Sequence, residues 1–264
     1  MPNGLFYYLD AQLLTLFLFA TLLAAAAIGF RLGRRARANT DDTARSQSNT
    51  IQGAVIGVLA LLLAFTLSMA ITRDENRRRL VLDEADSIGT TYLRSQLLPE
   101  PYAAQAAEVL RQYVDNRLEF YNAGVDEARF NAANDQALEL HDRLWAIAAA
   151  ASAQDNRAIP TGLFVESLNE TIDLQSMRLA ATRNTVPETV LLLLFAVAIA
   201  TAAIVGYNSG LSNQRHLFAA LTLIVLITLI IWVLIDLDRP RRGLILVSQQ
   251  SMIDLREAMR QDLP

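Results

Sequence analysis

The chain has 264 residues, 23 basic and 27 acidic, for a formal net charge of -4, with 53% hydrophobic and 19% charged residues. That balance is more apolar and less charged than a soluble domain, and it lacks the basic excess of a nucleic-acid binder. Cys and Lys are absent and His occurs only as His141 and His216, which excludes disulfides, thiolate zinc sites, Cys nucleophiles, Lys Schiff bases and a P-loop Lys.

Four stretches contain no Asp, Glu, Lys, Arg or His: residues 11–30, 51–72, 189–214 and 217–235. A helix of about 20 apolar residues crosses a bilayer core, so each predicts a membrane span. The first is expected to stay in place as a membrane helix rather than act as a secretory leader: residues 1–10 contain no basic residue, and Arg31, Arg34, Arg35 and Arg37 follow it like a stop-transfer flank. Residues 31–50, rich in Ser, Thr, Asn and Asp, read as an irregular link. The second span is expected to continue as a helix past the interface, because Leu80, Glu84, Ile88 and Tyr92 keep helical spacing.

Pro99 and Pro101 end that helix, and Gly124 ends the next, whose apolar positions are Leu110, Val114, Leu118 and Tyr121. A further helix starts near Pro160–Thr161–Gly162 and carries Phe164, Leu168, Ile172, Gln175 and Leu179 on one face. Pro187 suits the first turn of the third span, where a missing N–H costs nothing. Residues 208–216 read as a tight connection between the last two spans. The tail places Met252, Leu255 and Met259 on one helical face. No stretch shows strand alternation.

The expected fold is therefore all-α: a four-span helical membrane protein with a helical extramembrane domain between spans two and three. The expected divisions are 1–72, a first transmembrane pair; 73–185, the helical domain; 186–235, a transmembrane hairpin; and 236–264, an amphipathic tail. Arg distribution near the membrane sets orientation. Six Arg (31, 34, 35, 37, 45, 215) flank one side and nine (73, 77, 78, 79, 178, 183, 239, 241, 242) the other. The total points to a cytoplasmic helical domain, whereas the flanks of the first span taken alone point the opposite way.

Gly53, Gly57, Ala60, Ala64 and Ser68 form a stripe of small residues on the second span, with Leu61 and Phe65 beside it. Small residues let membrane helices approach closely. Alternatively, several copies of this face can surround an axis and form an apolar constriction that gates by dewetting. Ionisable groups are confined to the edges of the spans, which disfavours a proton relay. Arg73, Arg77 and Arg78 follow span two, and Asp236, Asp238, Arg239, Arg241 and Arg242 follow span four. Such clusters suit interfacial ion pairs, headgroup contacts or a vestibule that concentrates anions.

Glu166, Glu170 and Asp173, like Asp83, Glu84 and Asp86, read as solvated faces before they read as cation sites. His141 is expected on a polar helix face near Trp145, and His216 in the hairpin loop. No pattern calls for a cofactor or a metal, and none marks an enzyme.

Four segments carry a resemblance: LLLAFTLSMA (61–70), RRRLVLDEADSIGTTYLRSQLLPEP (77–101), LNETIDLQSMRLAATRNTVPETVLLLL (168–194) and IDLDRPRRGLILVSQQ (235–250). The sequence resembles the bacterial bestrophin-like domain family of membrane proteins and, remotely, the bestrophins, which are pentameric ion channels with four membrane helices per subunit. In bestrophins the second helix lines the pore and its apolar neck, and an aromatic, Arg-rich segment follows; residues 53–79 would map there. The sequence departs from that pattern at residues 73–79, which contain no Trp or Tyr, and has no counterpart of the acidic calcium clasp of the animal channels.

The resemblance implies a multi-pass protein of the bacterial plasma (inner) membrane, a homo-oligomer with a pentamer the first expectation, conducting small inorganic ions with anions first. Its partners would be the lipid bilayer, copies of itself and those ions, and no nucleic acid. The competing expectation is a non-conducting scaffold or sensor whose helical domain binds a partner.

Overall fold

The computed structural model describes residues 10–154, 158–212 and 217–261. All of its regular structure is helical: α1 (Ala11–Ala36), a 3-10 turn (Arg37–Asn39), α2 (Asp42–Ser95), α3 (Tyr102–Asn122), α4 (Glu127–Gln154), α5 (Ala158–Arg183), α6 (Glu188–Ser212), α7 (Leu217–Leu237) and α8 (Gln250–Gln261). Helices α1, α2, α6 and α7 are long and apolar enough to cross a bilayer. The chain is a membrane protein.

The expected irregular link after the first span is instead almost entirely helical. α1 continues through its Arg-rich end to Ala36, and α2 already begins at Asp42. Asp41 Oδ1 accepts the Ala44 N–H at 2.7 Å and so caps α2. The polar residues of its first turns are accommodated by back-bonding, as where Thr50 Oγ1 donates to the Ser46 carbonyl at 3.0 Å. The expected turn at 208–216 is likewise helical as far as Ser212; Arg215 and His216 lie outside the described residues. Pro160 falls within the first turn of α5, and Pro187 is the residue preceding α6.

The chain divides into two compact units. The first comprises Met1–Arg73 and Thr185–Arg239, the second Asp74–Asn184 and Pro240–Pro264; α2 contributes residues to both.

In the first unit α1 and α6 pack with backbone against backbone. A Cβ built on Gly29 would overlap the Ala203 carbonyl, one on Gly33 the Tyr207 carbonyl, one on Gly206 the Ala26 carbonyl and one on Gly210 the Phe30 carbonyl. Numbers rise together along both helices, so the two run parallel. Both carry a G-x-x-x-G pattern, Gly29–Gly33 and Gly206–Gly210, which permits this approach in an apolar medium. Asn208, buried on α6, donates from Nδ2 to the Ser48 carbonyl at 3.1 Å and to Gln52 Oε1 at 2.7 Å, and accepts from Ser48 Oγ. A buried amide is thereby satisfied and α2 is tied to α6. The outward positions of the unit, such as Leu13, Phe17, Leu192, Leu193, Val225 and Leu229, are exposed apolar side chains suited to lipid.

The second unit has a core of its own. Ile88 and Tyr92 of α2, Leu110 and Val114 of α3, Leu140 and Leu144 of α4, and Phe164 and Leu168 of α5 share one cluster with Met252 and Met259 of α8. Gly124, with φ of +52°, ends α3 in the left-handed conformation that disfavours side chains. Asp126 then caps α4, its Oδ1 accepting the Ala128 and Arg129 N–H groups at 3.0 Å. Ser87 and Thr91 of α2 meet the Thr171 hydroxyl of α5 at 2.9 and 3.1 Å.

Candidate functional site

The span of α2 has two unlike faces. Leu59, Leu63, Thr66 and Ala70 recur at helical spacing and are buried within the first unit. Gly53, Gly57, Ala60, Ala64, Phe65 and Ser68 are all exposed on the other side of the helix. A Cβ added at Gly53 or Gly57 would meet nothing within 4 Å. The glycines of α1 and α6 thus join those two helices, while the small-residue face of α2 has no partner among the described residues of its own unit. That face bears no charge, only glycine backbone, small apolar groups, one hydroxyl at Ser68 and the Phe65 ring.

Several charged residues that follow the second and fourth spans are held by helix ends or by ion pairs. Asp238 is buried and accepts the Val186 N–H through both oxygens at 2.8 and 2.9 Å, at the start of α6; Arg73 approaches it to 3.8 Å. Arg77 is buried and donates to the carbonyls of Ala181 (3.2 Å) and Asn184 (2.9 Å), which are orphaned at the end of α5. Arg78 bonds Asp74 at 2.7 Å. Arg241 donates from Nε to the Gly124 carbonyl at 2.7 Å, pairs with Glu127 at 3.2 Å and lies 3.8 Å over the Phe130 ring. Asp236 and Arg239 are buried and Arg242 is half-buried.

A buried ionic cluster in the second unit was not legible as such. Glu84, expected on a solvated face, is 0% exposed. Its Oε1 accepts from Arg117 Nε at 2.8 Å and from the Tyr113 hydroxyl at 3.1 Å, and its Oε2 accepts from Arg178 Nη1. Arg178 also donates to Gln249 Oε1 at 3.0 Å. Burial pushes the Glu84 carboxyl up, but Arg117 and Arg178 outweigh it and hold the group below its ordinary range. The Tyr113 phenol is raised well above its ordinary value by burial and by the Glu84 charge.

His141, expected on a polar face, is also buried. Its ring centroid lies 4.8 Å from that of Tyr113, and neither nitrogen has a hydrogen-bond partner among the described residues. Burial, and then the Arg117 charge, lower its pKa to about 4, so the imidazole is neutral at pH 7. The signal for Glu84 was present in the sequence: a carboxylate occupying an apolar register position between Leu80 and Ile88. The acidic residues of α5 behave differently. Glu166 bonds Arg94 at 3.2 Å, and Glu170 and Asp173 are exposed.

The sequence matches the bestrophin-like domain over residues 20–252, most of the chain. The chain belongs to the bestrophin-like family. Among solved structures, this bestrophin-like protein is similar to a bacterial bestrophin homolog from Klebsiella pneumoniae, crystallised with one leucine-to-threonine mutation. The TM-score is 0.62 at 12% identity, covering 92% of this chain and 98% of the other. That likeness establishes a shared fold. No curated protein matches the chain.

Proposed function

We propose that this bestrophin-like protein is an oligomeric ion channel of the bacterial plasma membrane, a pentamer conducting anions, with its helical domain in the cytoplasm. The observation that carries this reading is the uncovered small-residue face of α2. Where the paired glycines of α1 and α6 are tightly packed, an uncovered small-residue face in the apolar span of α2 is suited to a shared axis. Family membership and the fold shared with a bestrophin homolog support the same reading.

Gly53, Gly57, Ala60, Ala64, Phe65 and Ser68 would line the constriction, whose apolar groups could gate by dewetting. Arg73, Arg77, Arg78, Arg239, Arg241 and Arg242, together with Asp236 and Asp238, would supply the charge that follows the spans in sequence. Bonds to helix ends hold two of these guanidiniums, those of Arg77 and Arg241, in fixed positions, where their field would act on passing anions.

Purified protein in liposomes is expected to pass chloride down a gradient, and Ala64→Phe or Ser68→Leu to reduce that flux severalfold. Flux no greater than that of empty vesicles under several ion gradients would leave the non-conducting scaffold or sensor as the better reading.

A further inference from the structure

A cavity of about 280 Å³ lies wholly within the second unit, near the lower end of the ~300–1,000 Å³ typical of small-molecule sites. Its walls are largely apolar, with Leu80, Val81, Phe120 and Phe130 among them. The described lining residues also include three guanidinium groups, Arg77, Arg178 and Arg241, and no carboxylate.

Behind one wall of this cavity, buried cationic charge exceeds anionic charge among the described residues. Behind Arg178 stands the Glu84 cluster, where one carboxylate serves two buried guanidiniums, Arg178 and Arg117. Both Nη atoms of Arg117 are buried without a hydrogen-bond partner among the described residues, and so is Nη2 of Arg241. Burying cationic donors without compensation is costly. The guanidiniums are also prevented from swinging to solvent: Arg178 by Glu84 and Gln249, Arg241 by the Gly124 carbonyl, Glu127 and the Phe130 ring.

We propose that this cavity binds a small organic anion, a carboxylate on an apolar body. The carboxylate would be received by the preorganised guanidiniums, which match its planar geometry, and the body would occupy the Leu80–Val81–Phe120–Phe130 walls. A bare inorganic anion would leave those walls unfilled, and a neutral apolar ligand would leave the cationic surplus uncompensated. Arg77 and Arg241 also belong to the charge invoked for conduction, but binding here is read by unfolding and titration rather than by flux, so the two readings fail separately.

The test uses the full chain in non-ionic detergent, with thermal unfolding and calorimetric titration against benzoate and hexanoate. Benzyl alcohol, hexanol and sodium sulfate serve as comparisons at matched ionic strength. Benzoate or hexanoate is expected to raise the unfolding temperature saturably, with Arg241→Gln weakening binding at least about tenfold. Because Arg241 also bonds Gly124 and Glu127, a second variant, Ala181→Leu, crowds the cavity wall while leaving those bonds in place; it is expected to abolish the carboxylate effect. Equal saturable stabilisation by the alcohols or by sulfate would overturn the proposal. So would the absence of any saturable carboxylate effect, or carboxylate binding that survives both substitutions in folded protein.

Discussion

Glu84 stands between Arg117 and Arg178 with no solvent to share its charge, so neutralising it strands two buried cations. Glu84→Gln is expected to destabilise the second unit by about 3–5 kcal/mol, read by denaturant unfolding of the whole protein in detergent. The same region predicts two acid-sensitive windows. His141 titrates near its ordinary value of 6.5 when unfolded but at about 4 when folded. Between those values the unfolded chain therefore takes up a proton that the folded chain refuses, and stability falls as pH drops through the interval. The loss is on the order of 3 kcal/mol at its limit. His141→Phe is expected to flatten that slope. The Glu84 carboxyl, held below its ordinary range, contributes stability above about pH 4.5 that is lost only at still lower pH, as the folded group finally takes its proton. A slope between pH 6.5 and 4 that persists in His141→Phe would assign the first window to another group.

Helices of this protein use glycine in two opposite ways, and substitution should separate them. Gly206 and Gly33 face backbone carbonyls of the partner helix, so Gly206→Ala or Gly33→Ala forces α1 and α6 apart. A cost of about 1–3 kcal/mol is expected, seen as a lower unfolding temperature and reduced yield of folded protein. Gly57 faces open space in the protomer. There, Gly57→Ala should leave subunit stability unchanged or raise it by up to about 1 kcal/mol through helix propensity. If the pore assignment holds, the same substitution changes flux. Measuring stability and flux on both variants therefore distinguishes glycines that join helices from glycines that line a passage.

At the scale of the whole molecule, the proposed assembly has a test that the cysteine-free sequence makes clean. Ala64→Cys lies on the exposed face of α2 and Leu59→Cys on the buried one. If α2 from several copies surrounds an axis, mild oxidation should link Ala64→Cys subunits into covalent dimers on denaturing gels, while Leu59→Cys remains monomeric. Linkage of neither variant, in protein of native mass corresponding to a single chain, would remove the shared axis and with it the conduction reading.

Much of the fold was legible from elementary patterns. Runs without a charge are long enough to cross a bilayer, and 3.6-residue spacing marks the helices of the extramembrane sequence, because burial of apolar surface and closure of backbone hydrogen bonds are local demands on composition. The irregular link was misread because Ser, Thr and Asn favour turns only where nothing else satisfies the backbone; a cap at Asp41 and back-bonding at Thr50 let α2 extend through them.

The stripe on α2 and the paired glycines of α1 and α6 look equally small in sequence. Only the packed structure decides which face meets a neighbouring backbone and which meets nothing. Glu84 illustrates the same limit: whether a carboxylate on a helix is solvated or buried depends on what α3 and α5 bring to it. Sequence alone determined where the chain is apolar and, outside the polar links, where it is helical, because those follow from each residue and its near neighbours. The pairing of faces, and the charges enclosed by that pairing, were decided by tertiary structure, because they depend on residues from 94 positions apart (Glu84 and Arg178) to 160 apart (Ser48 and Asn208).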